Sequence, residues 1–142
     1  MKNQLEQAFY ENKTDEELDV LVAEAAGLVY ANTSGVGAWL DEFGAIIHLE
    51  SEFKPTSKMN VALSLFQEIA AEGNGLAINT ADVITKKNTM MFGGFDKKEV
   101  NPLPLLYFEI SDICDFCEFR KTFLRGVSIF YILYKISRES GE

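Results

Sequence analysis

The sequence predicts an α+β fold: a single antiparallel or mixed sheet of four to five strands with three helices packed on it. Three observations predict it. The chain has 142 residues, the length of one domain. It is 47% hydrophobic with eleven Phe, five Tyr and one Trp, enough bulky material for a core and too much for a disordered chain. Three segments carry apolar residues at helical spacing, and the strand-like runs between them are adjacent in sequence, which favours hairpin pairing over crossovers. The expected domain is 1–142, with a polar lead-in at 1–13 and a frayed tail at 139–142.

The lead-in has helical potential only around Leu5 to Phe9. Thr14 opens the first clear helix. With Glu17 three residues on it forms a capping box, and Asp15, Glu16 and Glu17 suit the positive end of the helix dipole. Leu18, Leu21, Val22 and Ala25 make its apolar stripe, and Gly27 is a natural left-handed stop. Asn32 to Gly37 is a Ser/Gly-rich loop. Gly37 to Leu40 and Ala45 to Leu49 flank Asp41-Glu42-Phe43-Gly44 as a hairpin with a four-residue connection. Pro55 sets Lys54 extended, and Thr56 or Ser57 can cap a second helix. Its buried face is Met59, Ala62, Leu63, Phe66 and Ile69, and Gly73-Asn74-Gly75 ends it. Leu76 to Ile78 and Thr89 to Phe92 are expected strands, Gly93-Gly94 a turn, and Leu103 to Ile110 a further apolar β run whose prolines precede its interior. Phe116 to Arg138 is a last helix, apolar around much of its circumference and therefore core.

Charge is unevenly placed. The formal net charge is −9. Residues 1–72 hold 13 of the 22 acids and 4 of the 13 bases, while residues 73–142 hold 9 of each. An acidic surface gains nothing from counterion release, so direct nucleic-acid binding is disfavoured and a basic partner is favoured. No apolar run reaches the length of a membrane span, and the polar, acidic first residues do not form a signal peptide. Two Cys without an export signal point to a cytoplasmic location.

Two segments resemble the phage ABA-sandwich family of small phage and prophage proteins. Leu18-Asp19-Val20-Leu21-Val22-Ala23-Glu24-Ala25-Ala26-Gly27 is similar to the family's opening L-D-x-L-V-A-E-x-x-x-G helix and stop. Phe53-Lys54-Pro55-Thr56-Ser57-Lys58-Met59-Asn60-Val61-Ala62 is similar to its Y-x-P-S-T-D-x-x-x-A lead into the second helix. Here Thr-Ser replaces Ser-Thr and Lys58 replaces Asp. The helix containing Arg125 to Lys135 falls where the family has an Ala-rich closing helix, but is aromatic, and 76–118 does not align. The resemblance implies an αβα or α+β fold and a phage origin, located in the host cytoplasm. It implies no catalytic residues.

The chemical constellations are few. Cys114-Asp115-Phe116-Cys117 follows a strand and opens a helix, the placement of a dithiol oxidoreductase, although Asp112, Asp115 and Glu118 disfavour a thiolate. Beyond these two Cys only His48 could ligate zinc, short of the four ligands of a closed site, so no metal and no cofactor is expected. The glycine turns at 34–37 and 93–94 lack the context of a phosphate loop. Met90, Met91, Phe92 and Phe95 form either an exposed apolar patch or an ordinary core hairpin. The carboxylates Asp15, Glu16, Asp19, Asp41, Glu42, Glu50 and Glu52 read as a solvated face. The expectation is a non-enzymatic, phage-encoded binding protein whose acidic residues occupy a basic surface of a host protein, a bacterial defence complex among the candidates, in the manner of a phosphate mimic. The alternatives are a small dithiol oxidoreductase using Cys114 and Cys117, and a self-associating structural phage component, so a homo-oligomer stays open.

Overall fold

The computed structural model describes residues 2–82, 88–96, 103–110 and 116–140. Among them the chain runs α1 (Lys2–Glu11), α2 (Asp15–Ala25), β1 (Val29–Thr33), β2 (Val36–Leu40), β3 (Ile46–Leu49), α3 (Met59–Ala71), β4 (Asn74–Asp82), β5 (Asn88–Asp96), β6 (Leu106–Glu109) and α4 (Phe116–Ser140). The α+β class and antiparallel pairing hold. The single sheet and the count of three helices do not. There are four helices and two separate three-stranded antiparallel sheets, ordered β1-β2-β3 and β4-β5-β6.

The fourth helix is the segment expected to be a lead-in. What holds α1 is tertiary. Gln7 is 6% exposed. Its side-chain amide donates to the Tyr107 carbonyl at 2.5 Å and accepts from the Tyr107 N–H at 3.3 Å. Gln7 thus pairs with β6 as a neighbouring strand would. The contact occupies the outward backbone groups of Tyr107 on the β6 edge. At the other end of α1, Arg125 of α4 donates to the carbonyls of Glu11 (3.1 Å) and Lys13 (2.9 Å) and pairs with Asp15, joining the end of α1 to the start of α2.

α2 begins as expected. The Glu17 N–H donates to Thr14 Oγ1 at 3.2 Å and the Thr14 N–H to Glu17 Oε1 at 2.9 Å, and Gly27 closes the turn at φ +84°. The start of α3 differs. Its N-cap is Lys58, which makes no side-chain cap bond. Thr56 instead turns inward to Asp19 of α2, its N–H and hydroxyl donating to Asp19 Oδ1 at 3.0 and 2.9 Å. That link ties the lead into α3 to the side of α2.

The second sheet also departs at Gly93-Gly94, which lie inside β5 opposite Ala77 and Leu76 rather than in a turn. A Cβ on Gly94 would stand 2.1 Å from the Gly75 carbonyl oxygen, so glycine here serves close backbone approach. The run at 103–110 is a strand only over Leu106–Glu109. The core lies where α4 meets α2, α3 and the β4-β5-β6 sheet, and its largest buried side chains include Tyr131, Tyr134, Phe92, Phe130, Leu18 and Ile69. The β1-β2-β3 sheet stands largely apart from the helices, with Trp39 joining the core cluster.

Candidate functional site

The hairpin of β2 and β3 gathers four of the seven expected carboxylates. Asp41 shapes the turn, accepting from the N–H groups of Phe43 (2.8 Å) and Ala45 (2.9 Å). Gly44 follows at φ +85°. Glu42 is exposed on the tip of this turn. Glu50, just past β3, accepts from the Tyr30 hydroxyl of β1 at 3.1 Å, and Asn32 donates to the same hydroxyl at 3.3 Å. This clasp crosses the middle strand over Gly37, where a Cβ would come within 2.3 Å of Glu50 Oε1 and 2.4 Å of the Tyr30 hydroxyl. Glu52 is exposed two residues on. Among the described residues none of these four carboxylates forms an ion pair.

The other three lie on α2 and are separate from the hairpin set. Asp15 is paired with Arg125. Glu16 is exposed and borders a groove of about 430 Å³ lined also by Phe9, Tyr10, Lys13, Val20 and Leu21. Asp19 is buried, and burial raises its pKa against the lowering effect of the two Thr56 hydrogen bonds. It is therefore an internal support and leaves the candidate binding face.

The apolar quartet is divided as well. Met90 and Phe92 are core residues on one face of β5, whereas Met91 on the other face is half-buried. Phe95 belongs to β5, and its side chain lies outside the described residues. The exposed-patch alternative thus gives way to the core hairpin for Met90 and Phe92. Cys117 is exposed in the first turn of α4, and Cys114 lies outside the described residues. His48 is half-buried, its ring 4.7 Å from that of Phe53. Among the described residues no group of three His, Cys, Asp or Glu could hold a metal. No helix there is long and apolar enough to cross a membrane.

Sequence reasoning missed a polar cluster between α3 and α4. The Tyr131 hydroxyl donates to Glu68 at 2.7 Å and the Tyr134 hydroxyl donates to Glu72. Asn74 donates to Tyr134 at 2.9 Å and accepts from Arg138 at 2.8 Å. Lys135 bridges Glu68 and Glu72 at 2.8 and 3.7 Å. Burial, then the neighbouring carboxylate, pushes both phenols above their ordinary range. Burial works against the Lys135 charge, but Glu68 and Glu72 outweigh it and raise its pKa. Among the described residues Glu68 and Glu72 face Lys135, with Arg138 on Asn74 beside them, so the cluster fastens α3 to α4 through paired charges. Its sequence signal was the four-residue spacing of Glu68 and Glu72 against that of Tyr131 and Lys135. A second polar hollow, about 590 Å³, lies between α1, β6 and α4, lined by Gln7, Glu11, Glu109, Lys121 and Arg125 among others, with Arg125 already engaged as above.

No family model matches the chain, and no curated protein or solved structure is significantly similar to it.

Proposed function

We propose that the chain is a small acidic binding protein, phage-encoded as the resemblance of its two helix-opening motifs implies, that inhibits a host protein by occupying a basic surface. A bacterial defence complex is one candidate target, and in this reading the protein acts without catalysis. One observation carries this reading. The acids of α2 and α3 nearest to α4 are neutralised internally by Arg125 and Lys135, whereas Glu42 and Glu52 have no side-chain partner among the described residues and Glu50 has only a hydroxyl. The backbone that presents these carboxylates is held by Asp41 and by the Tyr30–Glu50 clasp, so its ordering is already complete before binding, while the Glu42 and Glu52 side chains stay free to reach a partner. A close array of uncompensated negative charge complements a groove built for phosphates.

The test is capture from a bacterial host lysate with wild type and with the triple variant Glu42→Lys, Glu50→Lys, Glu52→Lys. Wild type retains a specific host protein at about 50 mM salt and releases it at about 500 mM, as screening requires. The triple variant, folded by circular dichroism, retains none. Equal capture by the variant rejects the acidic-face reading.

A further inference from the structure

The β1-β2-β3 sheet has a second face that the acidic set does not use. Register places Val29, Leu40 and Ile46 in one row across the strands, Ala31, Ala38 and Leu49 in the next, and Thr33 with Val36 in the last. Tyr30, Asn32, Gly37, Trp39 and His48 point the opposite way, the side on which Glu50 reaches Tyr30. The first face therefore carries no charged residue, on a chain of net charge −9. Its rim is left in water, with Val29 59% exposed, Val36 56%, Ile46 64% and Ile47 at the β2–β3 irregularity 47%, around a buried Ala38 and half-buried Ala31, Leu40 and Leu49. Ordinarily one face of an antiparallel sheet is packed and the other is polar. Here the rim of the apolar face is open, and among the described residues no helix packs extensively on this sheet.

We propose that a second copy of this chain covers it, the two β1-β2-β3 faces stacking about a two-fold axis into a six-stranded sandwich. Two observations select a second copy over an unrelated protein. First, a two-fold contact sets each patch against itself, and only a patch free of charge can do that on so acidic a chain; Asp41, Glu42, Glu50 and Glu52 stay at the turn, the strand end or the far face. Second, the exposed apolar area of this face is roughly 400–500 Å² per copy, so stacking buries at most about 1,000 Å² in all, the size of a weak, reversible contact. The pairing is consequently weak, and salt strengthens it by screening the repulsion of two acidic bodies. Its salt dependence is opposite in sign to that of the basic-partner reading, and the two stand or fall separately.

Sedimentation velocity on the purified full chain between about 5 and 500 µM, at about 50 and 500 mM NaCl, tests it. A monomer–dimer equilibrium is expected, with Kd of about 10–100 µM at high salt and several-fold weaker at low salt. Val36→Lys and Ile46→Lys, both at exposed sites, raise Kd at least tenfold with melting temperature and circular dichroism unchanged. Each makes the chain less acidic, so added net repulsion cannot produce that loss. Val20→Lys, on exposed α2 surface, and the Glu42, Glu50, Glu52 triple variant leave the dimer intact. A monomer throughout the range overturns the proposal. So does a dimer indifferent to Val36→Lys and Ile46→Lys, which would place the contact elsewhere.

Discussion

Asp19 shows how one residue changes meaning between sequence and structure. In the sequence it is one acid among many on a capped helix. In the fold it is buried, and a single carboxylate oxygen accepts both the N–H and the hydroxyl of Thr56. Replacing it with Ala strands two buried donors, an expected loss of about 2–3 kcal/mol. Asn keeps an acceptor oxygen in place and removes a charge that burial penalises, so Asp19→Asn costs less than about 1 kcal/mol at neutral pH. The pH dependence separates charge from hydrogen bonding. The folded-state pKa of Asp19 is raised above its unfolded value, so its favourable contribution is complete below the unfolded pKa and is lost as pH rises through the folded one. Urea denaturation from about pH 3.5 to 7 should therefore show the Asn variant gaining on wild type as pH rises. A constant difference across that window would mean that the Asp19 charge carries no burial penalty.

Among the elements, those set by local chemistry were legible in the sequence and those held by distant contacts were not. The Thr14 capping box and the Gly27 and Gly73 stops appear as expected because each is closed within a few residues. α1 was illegible because its support comes from Tyr107 and Arg125, about a hundred residues away. β5 was cut short at Gly93-Gly94 because glycine signals a turn locally, whereas here it admits the Gly75 backbone. Gly126 in α4 is the same case on a helix. Glycine is a poor helix residue, yet a Cβ here would lie 2.4 Å from the Phe92 ring and 3.3 Å from that of Phe108. Helix propensity alone favours Gly126→Ala by up to about 1 kcal/mol. Forcing α4 off β5 should outweigh that gain, and the variant is expected to lose about 1–3 kcal/mol by chemical denaturation. Phe92→Leu in the same background should recover part of the loss by clearing the ring. A stabilised Gly126→Ala would show that α4 and β5 are farther apart than these contacts require.

At the scale of the whole molecule, the order and periodicity of the apolar segments pointed to the α+β class, left antiparallel or mixed pairing open, and did not reveal the fourth helix or the division into two sheets. The contacts that accompany that division, Gln7 on the β6 backbone and the Asp19–Thr56 link between α2 and the lead into α3, join residues far apart in sequence. The acidity of the first half was legible, but its partial neutralisation was not, since Arg125 and Lys135 come from the neutral second half. What remains after that neutralisation governs how the molecule responds to salt. With net charge −9 and a sequence pI near 4.6, self-repulsion at pH 7 opposes the compact state more than the few ion pairs support it. Exposed pairs contribute at most about 1 kcal/mol each, and salt screens attraction and repulsion alike. Raising NaCl from about 10 to 300 mM at pH 7 should therefore raise Tm by a few degrees, and near the pI the same change should leave it almost unmoved. The measurement belongs below about 0.5 µM protein, where little of the proposed dimer forms and its own stabilisation is small. A Tm that falls with salt at pH 7 would mean that the Arg125–Asp15 and Lys135–Glu68 pairs outweigh the repulsion, and that the hairpin carboxylates are less concentrated a field than a basic partner requires.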